Sequence, residues 1–245
     1  MTVAGDIFVL LAGLVAGLLS GSLGTGSAIV LAPILVYRFG PKEAVPILAI
    51  AAIMNNIGKV AVWRREINWP CFWAYSVTGI PATMLGAKTM LIMPPHVLDI
   101  ALGSFFLLML PIRRYFTRIN RHLTLWQVAI GGLVVGYISG IAVSTGPLSV
   151  PVFLAYGLVK GGFIATEAAC SVFLMITKAS TFRSLGALPM DAIIKGLLVG
   201  GSVVVGGLGA KIVVERMSLR TFHYLVDGLL VVSGVAMFWA ATLHQ

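Results

Sequence analysis

The chain has 245 residues, 59% of them hydrophobic and 10% charged, and a mean hydropathy of +1.01. Soluble globular domains of ordinary composition do not reach these values, so the sequence is that of an all-α integral membrane protein. Seventeen Lys and Arg against eight Asp and Glu give a net charge of +9. Basic cytoplasmic loops and an anionic ligand account for this charge without a nucleic-acid partner.

Apolar stretches run over residues 6–22, 27–38, 43–63, 69–92, 95–112, 124–143, 147–158, 163–185, 189–214 and 219–243. A helix of about a dozen residues rises only about 18 Å against a hydrocarbon core of about 30 Å. The short stretches 27–38 and 147–158 therefore read as halves of broken or re-entrant segments. Eight transmembrane spans follow, as two four-span repeats with the first span of each interrupted. Residues 7–19 have the apolar character of a signal-peptide core, but no basic segment precedes them and their copy lies inside the chain, so they are expected to stay in the mature protein.

The duplication is visible in residues 13–21 (GLVAGLLSG) against 132–140 (GLVVGYISG), with six identities in nine at an offset of 119. Pro33 then falls opposite Pro151, and Glu43 opposite Glu167. Residues 1–112 form the first repeat, 113–123 a basic linker and 124–245 the second repeat. The linker carries Arg113, Arg114, Arg118 and Arg121 and no acid, which predicts a cytoplasmic position. Four spans per half would put both termini on the linker's side, and an even count implies parallel rather than inverted repeats.

Each half has a run of small residues where its first span is interrupted. The first is Gly24, Thr25, Gly26 and Ser27, followed by Pro33; the second is Ser144, Thr145 and Gly146, followed by Pro151. Such a run permits a non-helical path, and the half-helix after it presents unpaired N–H groups and a positive dipole end to an anion. Gly13, Gly17, Gly132 and Gly136 instead have the spacing of a helix-packing face.

Two four-span halves, each opening on a glycine-rich turn followed by Pro33 or Pro151, resemble the sulfite exporter TauE/SafE family of transporters. The resemblance covers essentially the whole chain, although both copies of the turn are degenerate. It implies a secondary transporter of sulfur-containing anions such as sulfite or small organosulfonates, coupled to an ion gradient, in a prokaryotic cytoplasmic (inner) membrane.

The next span of each half carries Asn55, Asn56 and Lys59 in the first repeat and Thr177 and Lys178 in the second. Two cations flanked by amide and hydroxyl donors complement a sulfonate, unless the lysines snorkel to the interface beside Arg64 and Arg183. Asp99 and Asp227 are the acids placed for ion coupling, or for structural hydrogen bonding. Glu43 and Glu167 read as acids stabilising helix N-termini. Cys71 and Cys170 read as core residues, and Trp63, Trp69, Trp73, Trp126 and Trp239 as interfacial anchors. No HExxH, CxxC, haem-ligand or protease motif appears, so neither an enzyme nor a cofactor is expected.

Overall fold

In a computed structural model the described residues are 3–20, 27–116, 122–142, 146–214 and the helical positions 228, 231, 232, 234, 235 and 239. They form nine α-helices: α1 Val3–Ser20, α2 Ser27–Phe39, α3 Pro41–Trp63, α4 Trp69–Ile92, α5 Pro95–Phe116, α6 Leu125–Ile141, α7 Gly146–Ala155, α8 Lys160–Ser184 and α9 Met190–Val214. A 3-10 turn, Arg64–Glu66, follows α3. Three segments, Pro41–Glu66, Gly161–Ser184 and Met190–Gly207, are long and apolar enough to cross a membrane. The chain is an all-α, multi-pass integral membrane protein, and its helices coincide closely with the apolar stretches.

Local chemistry sets the helix ends. Gly40, at φ 75°, turns the chain between α2 and Pro41, whose missing N–H costs nothing at a helix start. The Asn68 side chain accepts from the Cys71 N–H at 3.0 Å and caps α4. Thr124 N–H donates to Gln127 Oε1 at 2.9 Å ahead of α6. Gly186, again at φ 75°, ends α8 while Ala187 N–H bonds back to the Phe182 carbonyl.

Close backbone contact organises the helix pairs. Gly132, Gly136 and Gly140 of α6 face Gly79, Thr83 and Gly86 of α4, and a Cβ added at Gly136 would lie 2.5 Å from the Gly79 carbonyl oxygen. Thr78 Oγ1 donates to the Ala129 carbonyl at 2.6 Å and Thr83 Oγ1 to that of Gly136 at 2.9 Å. In α1, Gly13 and Gly17 meet Ser202 and the Val203 carbonyl of α9, while Gly206 of α9 approaches Leu14. The packing role expected for these four glycines is the one the structure gives them.

The same contacts fix direction. Along α4 and α6 the paired residue numbers rise together, so these helices are parallel, as are α1 and α9. Gly196 and Gly200 of α9 meet Ile47, Ile50, Ala51 and Met54 of α3, which makes α3 parallel to α9. Lys42 Nζ donates to the Leu91 carbonyl at 3.3 Å, joining the start of α3 to the end of α4 and making those two antiparallel. Therefore α1 and α6, the opening helices of the two halves, run in opposite directions. This corrects the expected parallel relation, which depended on counting four full crossings per half.

The reason lies in the short helices. Leu123 N–H, just before α6, donates to the Ala155 carbonyl at the end of α7 at 2.8 Å, and Gly131 faces Val152 midway. The chain thus returns to the face it left, and α6 with α7 forms a hairpin. We call this the linker face. Val3 begins α1 at the opposite face, so the N-terminal end of the described chain and the linker do not share a side, which corrects that expectation as well.

Two hydrophobic clusters fill the interior, one along α1, α2, α3, α5 and α9 and one between α4, α6, α7 and α8. Cys71 and Cys170 are buried free thiols in the second cluster. Trp63, Trp69, Trp73 and Trp126 are exposed near the linker-face helix ends, the positions interfacial anchors take.

Candidate functional site

At the end of α6 the helix stops because Ala142 is extended (φ −78°, ψ 160°), and α7 begins four residues later at Gly146. An α-helix leaves its last carbonyls without intrahelical donors and carries a negative partial charge there. Lys178 of α8 answers both. Its Nζ donates to the Ser139 and Ala142 carbonyls, each at 2.7 Å, and the residue is only 1% exposed. It therefore does not snorkel. An ammonium has three hydrogens, and two are used; the Phe182 ring centroid stands 5.7 Å from Nζ. The Ser139 hydroxyl is buried with no hydrogen-bond partner among the described residues. A cation, an unpartnered hydroxyl and the first N–H groups of α7 thus lie close to one interruption. From Ala142 to Gly146 four residues reach at most about 14 Å.

The other expected site residues are distributed rather than gathered. Lys59 is the nineteenth residue of α3 and Lys178 the nineteenth of α8, and both obey the 119-residue offset of the glycines. Because α3 and α8 are antiparallel, the lysines lie toward opposite faces. Lys59 Nζ donates to Asn56 Oδ1 at 3.0 Å, within a half-buried group that includes Asn55. Thr177 turns its hydroxyl back to the Phe173 carbonyl at 2.9 Å. Ser27 and Gly146 each begin a half-helix. Asp99 is fully buried in the second turn of α5. Gly24, Thr25, Gly26, Ser144, Thr145 and Asp227 lie outside the described residues.

Glu167 departs from its reading as a helix-start acid. The helix begins at Lys160, so Glu167 stands two turns inside it, 5% exposed, accepting from Ser149 Oγ of α7 at 3.2 Å and Ser171 Oγ at 3.0 Å. Glu43 does occupy a first turn, and it pairs with Lys195 of α9 at 2.7 Å; Lys195 also pairs with Asp191 at 2.6 Å and lies over the Phe39 ring.

The α6–α7 hairpin, the glycine-packed helix pairs and the buried lysine at a helix end are features that membrane transporters use. A family model described as Sulfite exporter TauE/SafE matches residues 9–237, and the chain belongs to that family. Its members are transporters, not enzymes. No curated protein and no solved structure matches the chain.

Proposed function

We propose that the protein is a secondary transporter exporting small sulfur-containing anions, sulfite or organosulfonates, across a prokaryotic cytoplasmic membrane. The observation that carries this reading is Lys178 at the α6 break, a buried cation with one hydrogen not taken by any described residue, beside a helix start. Ser139, Ser144, Thr145 and Gly146 complete the anion site of the second half. Gly24, Thr25, Gly26 and Ser27, with Asn55, Asn56 and Lys59, line the equivalent point of the first. Sulfite and sulfonates each present three oxygens, which suits several donors from different elements better than a monatomic halide does.

The architecture under this reading is two inverted repeats, each a re-entrant hairpin followed by three crossing helices. The pairing of α1 with α9 and of α4 with α6 supports it, since the opening helix of either half packs against the fourth helix of the other. Gly234, a helical position of the apolar stretch 219–243, lies against Leu107 of α5. Within the described helices and their caps, Arg64, Arg65, Arg113, Arg114, Lys160 and Lys211 fall toward the linker face and Arg38, Lys42, Lys88, Arg183 and Lys195 toward the other. Arg118 and Arg121 belong to the basic linker sequence, and this basic excess supports a cytoplasmic linker face. An impermeant thiol reagent applied from outside the cell should therefore fail to label a cysteine placed at Asn120 and should label one placed at Gly40. The reverse pattern would overturn the orientation.

Binding is tested on purified protein by thermal unfolding with sulfite, thiosulfate, sulfate and small sulfonates. A ligand that binds only the folded state at about 100 times its Kd adds about 2.7 kcal/mol. Sulfite or a sulfonate should raise the unfolding temperature well above the effect of chloride at equal ionic strength. No difference from chloride would remove the sulfur-anion reading.

A further inference from the structure

Among the described acids Glu167 occupies an unusual position, buried within a membrane-crossing helix and bonded to the half-helix that follows the interruption. We propose that Glu167 is the proton-binding site through which a proton gradient is coupled to movement of the α6–α7 hairpin. This rests on the transport reading above.

The geometry has three parts. The first is location. Glu167 and Lys178 are eleven residues apart, about three turns, so they share one face of α8 and stand about 16 Å apart along it. Ser171 lies on the same face, one turn from Glu167. The lysine therefore holds the end of α6 while the glutamate holds α7, so one rigid helix grips the two arms of the hairpin at different heights.

The second part is the bond itself. As a carboxylate Glu167 is an acceptor only, and it accepts from the hydroxyls of both Ser149 and Ser171. Taking one proton from water forms an O–H on one carboxyl oxygen, neutralises the side chain and turns that oxygen into a donor. Both serines donate to Oε1, so a proton taken up on Oε2 leaves the two bonds in place but removes the charge that strengthens them. Ser149 is the partner on α7, so protonation weakens the tie between α7 and α8; releasing the proton to water restores it.

The third part is the surrounding charge. From α3, Lys59 lies near enough to feel the Glu167 charge; from α4, Tyr75 does too, and Cys71 lies near Tyr75; from α8 itself Cys170 lies one turn away. At the head of α8, Glu66 of the 3-10 turn sits against Gly161. Lys59 is the cation in this group, and it belongs to the other half of the molecule. At the 119-residue offset the first half has Leu48 where the second has Glu167. Glu167 therefore has no acidic counterpart in the first half at that offset. Asp99 is as buried, but it lies in the second turn of α5 near a membrane face.

The test uses the full chain, purified and reconstituted in vesicles, with sulfite as the transported probe. In the parent protein an imposed pH gradient should change the sulfite flux. In Glu167→Gln that gradient response should fall by on the order of tenfold, the scale of a typical coupling between two sites, while sulfite still raises the unfolding temperature. Glu167→Asp, which keeps a titratable group, should retain part of the response. Infrared difference spectra between acid and alkaline pH should show a protonated-carboxyl band in the parent that is missing from Glu167→Gln. A parent that shows the band but does not bind sulfite would sink the substrate and leave the proton site standing. A Glu167→Gln protein that keeps the full gradient response, a band unchanged by that substitution, or a flux that follows sodium rather than pH would overturn the proton site.

Discussion

Replacing Lys178 by methionine is expected to weaken sulfite binding by about 30-fold or more, the effect of removing one partner from a desolvated charge pair worth about 2–5 kcal/mol. Methionine retains most of the stem, so the packing around Phe182 changes little. The substitution also strips the Ser139 and Ala142 carbonyls of their donor, and an unsatisfied buried polar group costs about 1–3 kcal/mol. A stability loss should therefore accompany the affinity loss, a consequence that a snorkelling lysine would not have. Lys178→Arg keeps a cation at the break and should recover part of both, although its planar fork cannot reproduce the same contacts. Isothermal titration and thermal unfolding on the same preparations separate the two effects. If Lys178→Met binds sulfite as tightly as the parent, the lysine serves only to cap α6. The same comparison at Lys59 reads whether the two hairpins contribute equally.

Gly136→Val should strongly damage the packing of α4 against α6. Its Cβ would fall 2.5 Å from the Gly79 carbonyl oxygen and 2.8 Å from the Gly79 Cα. Both are backbone atoms, so no side-chain rotation relieves the clash and α4 must separate from α6. Overpacking typically costs about 1–3 kcal/mol, and the Thr83 bond to the Gly136 carbonyl would be lost with it. The expected result is a large fall in the yield of monodisperse protein and in its unfolding temperature. Gly201→Ala on α9, where an added Cβ meets nothing within 4 Å, should be neutral or slightly stabilising. Equal unfolding temperatures for Gly136→Val and the parent would show that α4 and α6 are not held by this contact.

Helix positions were legible in the amino-acid sequence because apolar run length and glycine or proline punctuation act locally. The stretches at 69–92 and 189–214 match α4 and α9 to within a residue or so. Glycine spacing at 13, 17, 132 and 136 also carried its meaning, since only a close partner explains four absent side chains in register. Direction was not legible. That 124–158 returns rather than crosses shows only in tertiary contacts, Leu123 with Ala155 and Gly131 with Val152, and hydropathy has no sign for direction. Counting 124–158 as crossing segments led to the expected parallel relation, whereas α1 and α6 run in opposite directions.

The candidate site divides in the same way. Lysines deep in apolar segments stand out because burying a charge is costly, and Lys178 was found on that basis. Its partners were hidden, because they are main-chain carbonyls that any residue supplies. Glu167 was misread for a different reason. The apolar run begins at 163, which places the acid near a helix start, whereas the helix itself extends back through Gly162 and Gly161 to Lys160 and draws Glu167 inside. Aligning it with Glu43 compounded the error, since Lys59 and Lys178 keep the offset of the glycines and the two glutamates do not.

The bond between Lys178 and Ala142 spans 36 residues of chain, which has a meaning for biosynthesis. From Leu125 to Ala155 the sequence contains no charged residue, so this pair of helices can partition into lipid as it leaves the ribosome. At about 5–20 residues per second, roughly 2–7 s pass before the lysine that completes its inner end has been made. Throughout that interval the carbonyls of Ser139 and Ala142 lack their final donor. Insertion of these two helices is thus an early event and their completion a later one, with the nascent protein dependent on the next helix in the queue.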